Sequence, residues 1–330
     1  MSVLPGAEQE THVFVEEGAP DIAGRSPAQM AWTRLRRDPV AMTCMAVILI
    51  VVLVAVLAPL ITKALGLTDE FNNALIKDGG LPEGPLHSGI SWDHPLGVEP
   101  LTGRDLMYRL LYGSRISLLV AGLGTLFTVV IGVALGMIAG YSGGWVDAVL
   151  SRLMDLLLSF PQLILLIALS PVLVQVLDTK LGIDGNPARI TFLIVVFAVF
   201  GWTYLARLIR GQVLSIRERE FVEAAISIGA SSRRILVKEV LPNLWVPILV
   251  YASLLFPAYI GLEAALSFLG VGVTEPTPTW GRMLSDSVNF YQVDPLYLFI
   301  PGTYLFIVVL TFNLLGDSIR DALDPRAARS

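Results

Sequence analysis

The chain has 330 residues, of which 54% are apolar and 15% charged, and its formal charge is -5. Because a soluble globular domain carries roughly 25% charged residues, this composition favours a membrane protein over a soluble enzyme or binding module. The single cysteine, Cys44, excludes an intrachain disulfide and a cysteine metal cluster.

Apolar runs set the number of membrane spans. A spanning helix needs roughly 20 residues, because the hydrocarbon core is about 30 Å thick and a helix rises about 1.5 Å per residue. Six charge-free runs reach or approach that length: 39–62, 116–146, 156–177, 190–206, 240–262 and 295–316. The fourth run is the shortest, and Arg207 and Arg210 at its end can extend to the lipid headgroups. The sequence predicts an all-α integral membrane protein with six transmembrane helices.

The region before the first run has two parts. Residues 1–25 are rich in acidic and poor in apolar side chains, which predicts a disordered tail. Over 26–38, Met30 and Trp32 interleave with arginines, which is typical of an amphipathic helix on the membrane surface. A plain basic flank of the first span is the alternative.

Charge also predicts orientation. Most basic residues fall in segments that share one side of a six-span chain, so both termini are expected in the cytoplasm. The predicted order is a first span (39–62), an extracytoplasmic loop (63–113), a core with the other five spans (114–320) and a cytoplasmic tail (321–330).

A polar cytoplasmic stretch, 207–243, separates the fourth and fifth spans. Good helix formers predict a helix over 213–228, Gly229 can adopt the left-handed conformation that ends it, and Ser231 or Ser232 can cap a second helix. Pro242 is expected to terminate that second helix. Ala224, Ala225 and Gly229 leave the turn with little bulk, so either another protein docks there or the turn merely joins two spans.

Glu263 is the one carboxylate in an otherwise apolar stretch, and Pro161 borders the third span. An ionised group at membrane depth is costly, so Glu263 is either a pathway or gate residue or an interfacial group that makes a structural hydrogen bond. Pro161 can kink or end a helix, in a gate or simply as structure. No paired catalytic groups occur at membrane depth, and without a Gly-Lys pair there is no phosphate-binding loop. We therefore expect no enzymatic activity in this chain.

The polar stretch carries a resemblance. Glu223-Ala224-Ala225, three residues, Gly229 and then Leu241-Pro242 resemble the signature loop of binding-protein-dependent ATP-binding-cassette (ABC) import permeases. The pattern departs at Glu239, where isoleucine is usual.

Further motifs are similar to the C-type subunit of the peptide and nickel branch of that family. They are His94-Pro95-Leu96-Gly97, Gly103-Arg104-Asp105, the run 109–118, Arg152 with Asp155, Ser159-Phe160-Pro161, the run 268–272 and the run 276–281. The chain departs from the family pattern in an insertion at 98–102 and at Glu275, where proline is common.

The resemblance implies a type I ABC importer permease fold and transport of dipeptides or oligopeptides across a bacterial cytoplasmic membrane. It assigns docking of the ATPase to a coupling loop over 213–243, at Glu223, Ala224, Ala225, Gly229, Leu241 and Pro242. The implied partners are a homologous permease subunit, two ATPase domains that hold ATP and magnesium, an outer peptide-binding protein and the lipid bilayer. No cofactor is expected in this chain, and nucleic acid is not expected as a partner.

Two alternatives remain open. Nickel or another small solute is an alternative cargo within the same branch. An ion-coupled secondary transporter is a different class, for which Glu263 is the main support.

Overall fold

A computed structural model describes residues 27–77, 79–84, 86 and 88–323. Its α-helices are α1 (Pro27–Arg37), α2 (Pro39–Leu65), α3 (Leu106–Ser142), α4 (Gly144–Leu158), α5 (Gln162–Leu181), α6 (Gly185–Arg217), α7 (Glu220–Ser227), α8 (Ser232–Ile235), α9 (Trp245–Phe268), α10 (Trp280–Ser287) and α11 (Pro295–Leu323). In this part of the chain α2, α3, α5, α6, α9 and α11 are long and apolar enough to span a membrane, so the predicted six-span, all-α fold is confirmed. The tail predicted over 1–25 and most of that over 321–330 lie outside the described residues.

The segment predicted as a loop, 63–113, is helical at both ends. Helix α2 continues to Leu65, where Gly66 takes the left-handed conformation with φ +68°. Helix α3 begins directly after Asp105, whose carboxylate accepts a 2.7 Å hydrogen bond from the backbone N–H of Tyr108 and so caps the helix. The first turns of α3 were missed because the charged side chains of Arg109 and Arg115 precede the apolar run.

The third span, predicted over 156–177, begins too early. Helix α4 ends at Leu158, and α5 starts after Pro161, which occupies its N-cap position. Proline has no N–H to continue the first helix, so the chain breaks there.

Helix α4 is held against the end of α6 by two ion pairs. The guanidinium of Arg210 donates two hydrogen bonds to Asp147, and Arg207 donates one to Asp155. The hydrogen bonds from Arg210 hold the pKa of the Asp147 carboxyl below its ordinary value. Both arginines therefore bind α4, and their contact with lipid headgroups stays a prediction.

Close contact between α3 and α6 forms the centre of the bundle. Gly132, Gly136 and Gly140 lie four residues apart on one face of α3 and meet the backbone and side chains of α6. A Cβ added at Gly136 would lie 2.7 Å from the carbonyl oxygen of Ala206. Small residues at this spacing allow two membrane helices to approach closely.

The amphipathic segment predicted over 26–38 is helical as α1, and it packs on the end of α11. Arg34 donates to the carbonyl of Ala322 at 3.3 Å, and Ser318 donates to the carboxylate of Asp38 at 2.8 Å. Trp32 stays 45% exposed, as an interfacial helix requires. The position of α1 on a membrane surface stays a prediction.

Candidate functional site

The segment that connects α6 to α9 forms a compact projection at one end of the bundle. The single helix predicted over 213–228 is wrong, because α6 ends at Arg217 and α7 starts after Arg219. The bend has a packing cause. Val213 and Val222 are both fully buried in one hydrophobic cluster, and a straight helix could not return Val222 to it.

Gly229 ends α7 as predicted, with φ +78°. Its N–H donates to the carbonyl of Ile226 at 2.9 Å, and the N–H of Ala230 donates to the carbonyl of Ala225 at 3.0 Å. This pair of hydrogen bonds is a Schellman motif, which places a left-handed residue at the position of Gly229. No heavy atom lies within 4 Å of an added Cβ, so the backbone conformation, and not space, requires glycine.

The second helix is shorter than predicted. Ser231 occupies the N-cap position of α8, but no hydrogen bond of its side chain caps the helix. After Ile235 the chain continues as a π turn (Leu236–Val240) and a 3₁₀ turn (Leu241–Asn243). Pro242 lies within the 3₁₀ turn, so the prediction that it terminates a regular helix is wrong. The side chain of Asn243 donates to the carbonyl of Glu239 at 2.6 Å and holds this irregular backbone.

The six predicted coupling residues divide between two environments. Ala225 is 8% exposed and packs inside the chain's own cluster with Val222 and Ile235, so it cannot belong to an outer surface. Leu241 is half-buried against the same cluster. The exposed members are Glu223, Ala224, Gly229 and Pro242.

Sequence reasoning missed three large apolar side chains on α7 and at its end. Phe221, Ile226 and Ile228 are 42%, 51% and 78% exposed. Phe221, Ala224 and Ile228 are spaced i, i+3 and i+7 along α7 and its end, which places them on one helical face. We call these three residues the coupling face. The sequence indicates a second apolar face, because α7 contains more apolar residues than the buried face formed by Val222 and Ala225 needs.

The opposite end of the bundle contains a buried ionic cluster. Arg109 lies 2.6 Å from both Glu99 and Glu275, and Arg104 lies 2.8 Å from Glu99 and 2.6 Å from Glu275. Each carboxylate therefore contacts both arginines, which closes a ring of four charges that we call the ionic ring. Arg109 is fully buried and Glu99 is 1% exposed. Two of the three departures from the family pattern, the insertion and Glu275, thus meet in one cluster.

Glu275 in the ring and Asp286 beside it have pKa shifts of opposite direction. Burial alone would raise the pKa of Glu275, but the hydrogen bonds and charges of Arg104 and Arg109 lower it to about 2. Burial and the neighbouring carboxylate of Glu275 raise the pKa of Asp286 to about 6, although Arg282 opposes that shift.

Glu263 lies fully buried between α3 and α9. It accepts hydrogen bonds of 2.8 Å from the hydroxyls of Ser117 and Ser267. These contacts support the structural interpretation, and a gate role stays a prediction. Pro161 is exposed and lines a cavity of about 380 Å³ between α4, α5 and α6.

Comparison with protein families places these elements in a known class. A model of the binding-protein-dependent transport system inner membrane component matches residues 132–329, which include the coupling face. A model of the N-terminal transmembrane domain of oligopeptide transport permease C matches residues 26–73. The chain belongs to the binding-protein-dependent ABC import permeases. It is thus a membrane component of an importer, and the permease components of this family are not themselves catalytic.

Relatives of this permease align over nearly its whole length. The dipeptide transport system permease protein DppC of Alkalihalophilus pseudofirmus is 38% identical over 91% of this chain and 90% of its own. The oligopeptide permease OppC of Escherichia coli K12 is 36% identical over 93% of both chains. The glutathione permease GsiD of Escherichia coli O6:K15:H31 is 36% identical over 92% of this chain and 91% of its own.

A solved structure supports the same fold. A chain of the methionine ABC transporter MetNI, in an inward-facing conformation, superposes with a TM-score of 0.53 at 22% identity. The alignment covers 66% of this permease and 98% of that chain. The predicted type I importer permease fold is confirmed.

Proposed function

We propose that this permease translocates dipeptides or oligopeptides across a bacterial cytoplasmic membrane, with ATP hydrolysed on separate ATPase subunits or domains. The observation that carries the proposal is the alignment over nine-tenths of the chain with permeases named for dipeptide and oligopeptide transport. The glutathione permease widens the class to a small modified peptide. Nickel is the alternative cargo, and no contact among the described residues favours it.

The coupling face is the proposed docking surface for the ATPase. Phe221 and Ile228 expose large apolar side chains on a projection flanked by the exposed charges of Glu220 and Glu223. Exposed apolar groups rimmed by polar residues mark interaction sites. Val222 and Ala225 anchor the projection to α3 and α6, so a force on the coupling face reaches the central helix pair.

The remaining partners follow from this arrangement. We infer that both termini and the coupling face lie in the cytoplasm, because basic residues are concentrated on that side. A homologous permease subunit completes the path, and an outer binding protein delivers peptide at the end that carries the ionic ring. Closure of the two ATPase domains moves the two permeases as largely rigid bodies.

Point variants of the complete transporter test the docking proposal. Phe221→Asp and Ile228→Asp each place a charge on the coupling face, and we expect them to reduce co-purification of the ATPase roughly tenfold or more, as for central interface residues. Ile226→Asp is the matched control, since Ile226 is exposed on the other flank of α7. Equal ATPase association for all three variants would contradict the proposal.

A further inference from the structure

A cleft lies at the end of the bundle opposite the coupling face. It has a volume of about 520 Å³ and is lined by α5, the start of α6 and the turn after α9. Its lining is largely apolar and includes four polar or charged residues, Ser170, Gln175, Asp178 and Arg189. In the proposed orientation this is the outer end, where substrate enters.

The helix that forms one wall is poorly enclosed by the rest of the chain. Only 11% of the most apolar window of α5 is buried, the lowest share among the six candidate spans of the described residues. Gln175 and Asp178 are nevertheless exposed on it. Polar and charged groups on a spanning helix are costly against lipid and generally face a partner or a water-filled path. This side of α5 therefore faces the path or the second permease.

Two opposite charges line the cleft without neutralising each other. Among the ion pairs of the described residues, none joins Asp178 to Arg189. Arg189 donates one hydrogen bond to the carbonyl of Gly272 at 3.1 Å, which fixes the guanidinium and leaves its other N–H groups available. Ser170 donates to the carbonyl of Val271 at 3.1 Å and braces the same turn.

We propose that this cleft is a contact site for a peptide in transit and recognises the two charged ends of its main chain. The carboxylate of Asp178 binds the α-ammonium group, and the guanidinium of Arg189 binds the α-carboxylate in the geometry that guanidinium favours. Gln175 hydrogen-bonds the peptide unit between them. The inference rests on the proposed function of peptide transport, since the cationic guanidinium of Arg189 cannot bind a metal ion.

Transport by the complete complex in liposomes tests the site. Two peptides that differ only in having a free or an amidated C-terminus are compared. Each is supplied at a concentration that saturates the binding protein, so that any difference in uptake arises after the binding protein has delivered the peptide to the permease. We expect Arg189→Gln to reduce uptake of the free peptide about tenfold and to abolish its advantage over the amidated one. Asp178→Asn should likewise reduce uptake of a peptide with a free N-terminus and abolish its advantage over the acetylated peptide. Lys180→Gln and Asp184→Asn are matched controls, because both residues are exposed nearby but lie outside the cleft.

A second measurement does not depend on blocked peptides. A photoreactive peptide irradiated during turnover should crosslink to α5 between 167 and 178. Crosslinks confined to other segments, or variants that keep the wild-type preference for free termini, would overturn the site while peptide transport itself stands. Absence of any peptide uptake by the wild-type complex would instead overturn the proposed function, and the site with it.

Discussion

The guanidinium of Arg109 lies 2.6 Å from the carboxylate of Glu275, although 166 positions separate the two residues in the chain. Arg109 belongs to the first turns of α3, and Glu275 to the turn between α9 and α10. Glu99 and Arg104 complete the ionic ring from the loop between α2 and α3. The ring therefore joins this loop to the ends of two spanning helices and stabilises that end of the bundle.

Removal of one charge from the ionic ring should destabilise the end of the bundle that contains the ring. Glu275→Gln leaves Glu99 as the one carboxylate of the ring, with Asp69 3.4 Å from Arg109 outside it, and we expect a loss of about 1–3 kcal/mol in the free energy of unfolding. Thermal unfolding in detergent measures it. Lys77→Gln is the control, because its ion pair with Glu83 is exposed and should contribute less than about 1 kcal/mol.

The losses of unfolding free energy caused by Glu99→Gln and by Glu275→Gln should not be additive in the double variant, since both carboxylates contact the same two arginines. A double-mutant cycle measures the coupling. Strict additivity would show that the ring does not act as one unit.

The stabilisation from Glu275 should depend on pH. The pKa of Glu275 is lowered in the fold from 4.5 to about 2, so the folded state binds its proton less readily than the unfolded chain does. The contribution is complete above pH 4.5 and is lost as the pH falls towards 2. Hydrogen exchange of the loop between α2 and α3 should show a constant difference between wild type and Glu275→Gln from pH 7 to 5, and the difference should shrink below pH 5. A difference that persists unchanged at pH 3 would refute the assignment.

Gly229 should be sensitive to a side chain for reasons of backbone conformation. Gly229→Ala forces a residue with a Cβ into the left-handed region and should cost about 1 kcal/mol or more, fraying the end of α7. Gly211→Ala is the control, because Gly211 lies inside α6 with ordinary φ and open space around it. Hydrogen exchange over 220–230 measures the effect. Equal exchange in both variants would contradict the role of the Schellman motif.

The contact between α3 and α6 should not tolerate a methyl group at Gly136. Gly136→Ala places a Cβ 2.7 Å from the carbonyl oxygen of Ala206, so the helices must separate, at a cost of about 1–3 kcal/mol. Gly261→Ala meets nothing within 4 Å and should be neutral. Thermal unfolding of the two variants in detergent distinguishes them, and an unchanged midpoint for Gly136→Ala would count against close packing at this face.

The sequence predicted the six spans and the glycine turn because each depends on local pattern: apolar length in the first case, and a left-handed residue after helix formers in the second. It did not predict that Ala225 is buried while Ala224 is exposed, because the phase of α7 is set by packing of Val222 against Val213 across a bend. The ionic ring was beyond reach, since Glu99 and Glu275 meet only through tertiary structure.

Uptake of labelled peptide into liposomes that contain the complete transporter tests both peptide import and the docking role of the coupling face. We expect uptake that requires ATP and the binding protein, is lost in Ile228→Asp and is unchanged in Ile226→Asp. ATP-dependent uptake of nickel without peptide, or peptide uptake that persists without ATP, would contradict it.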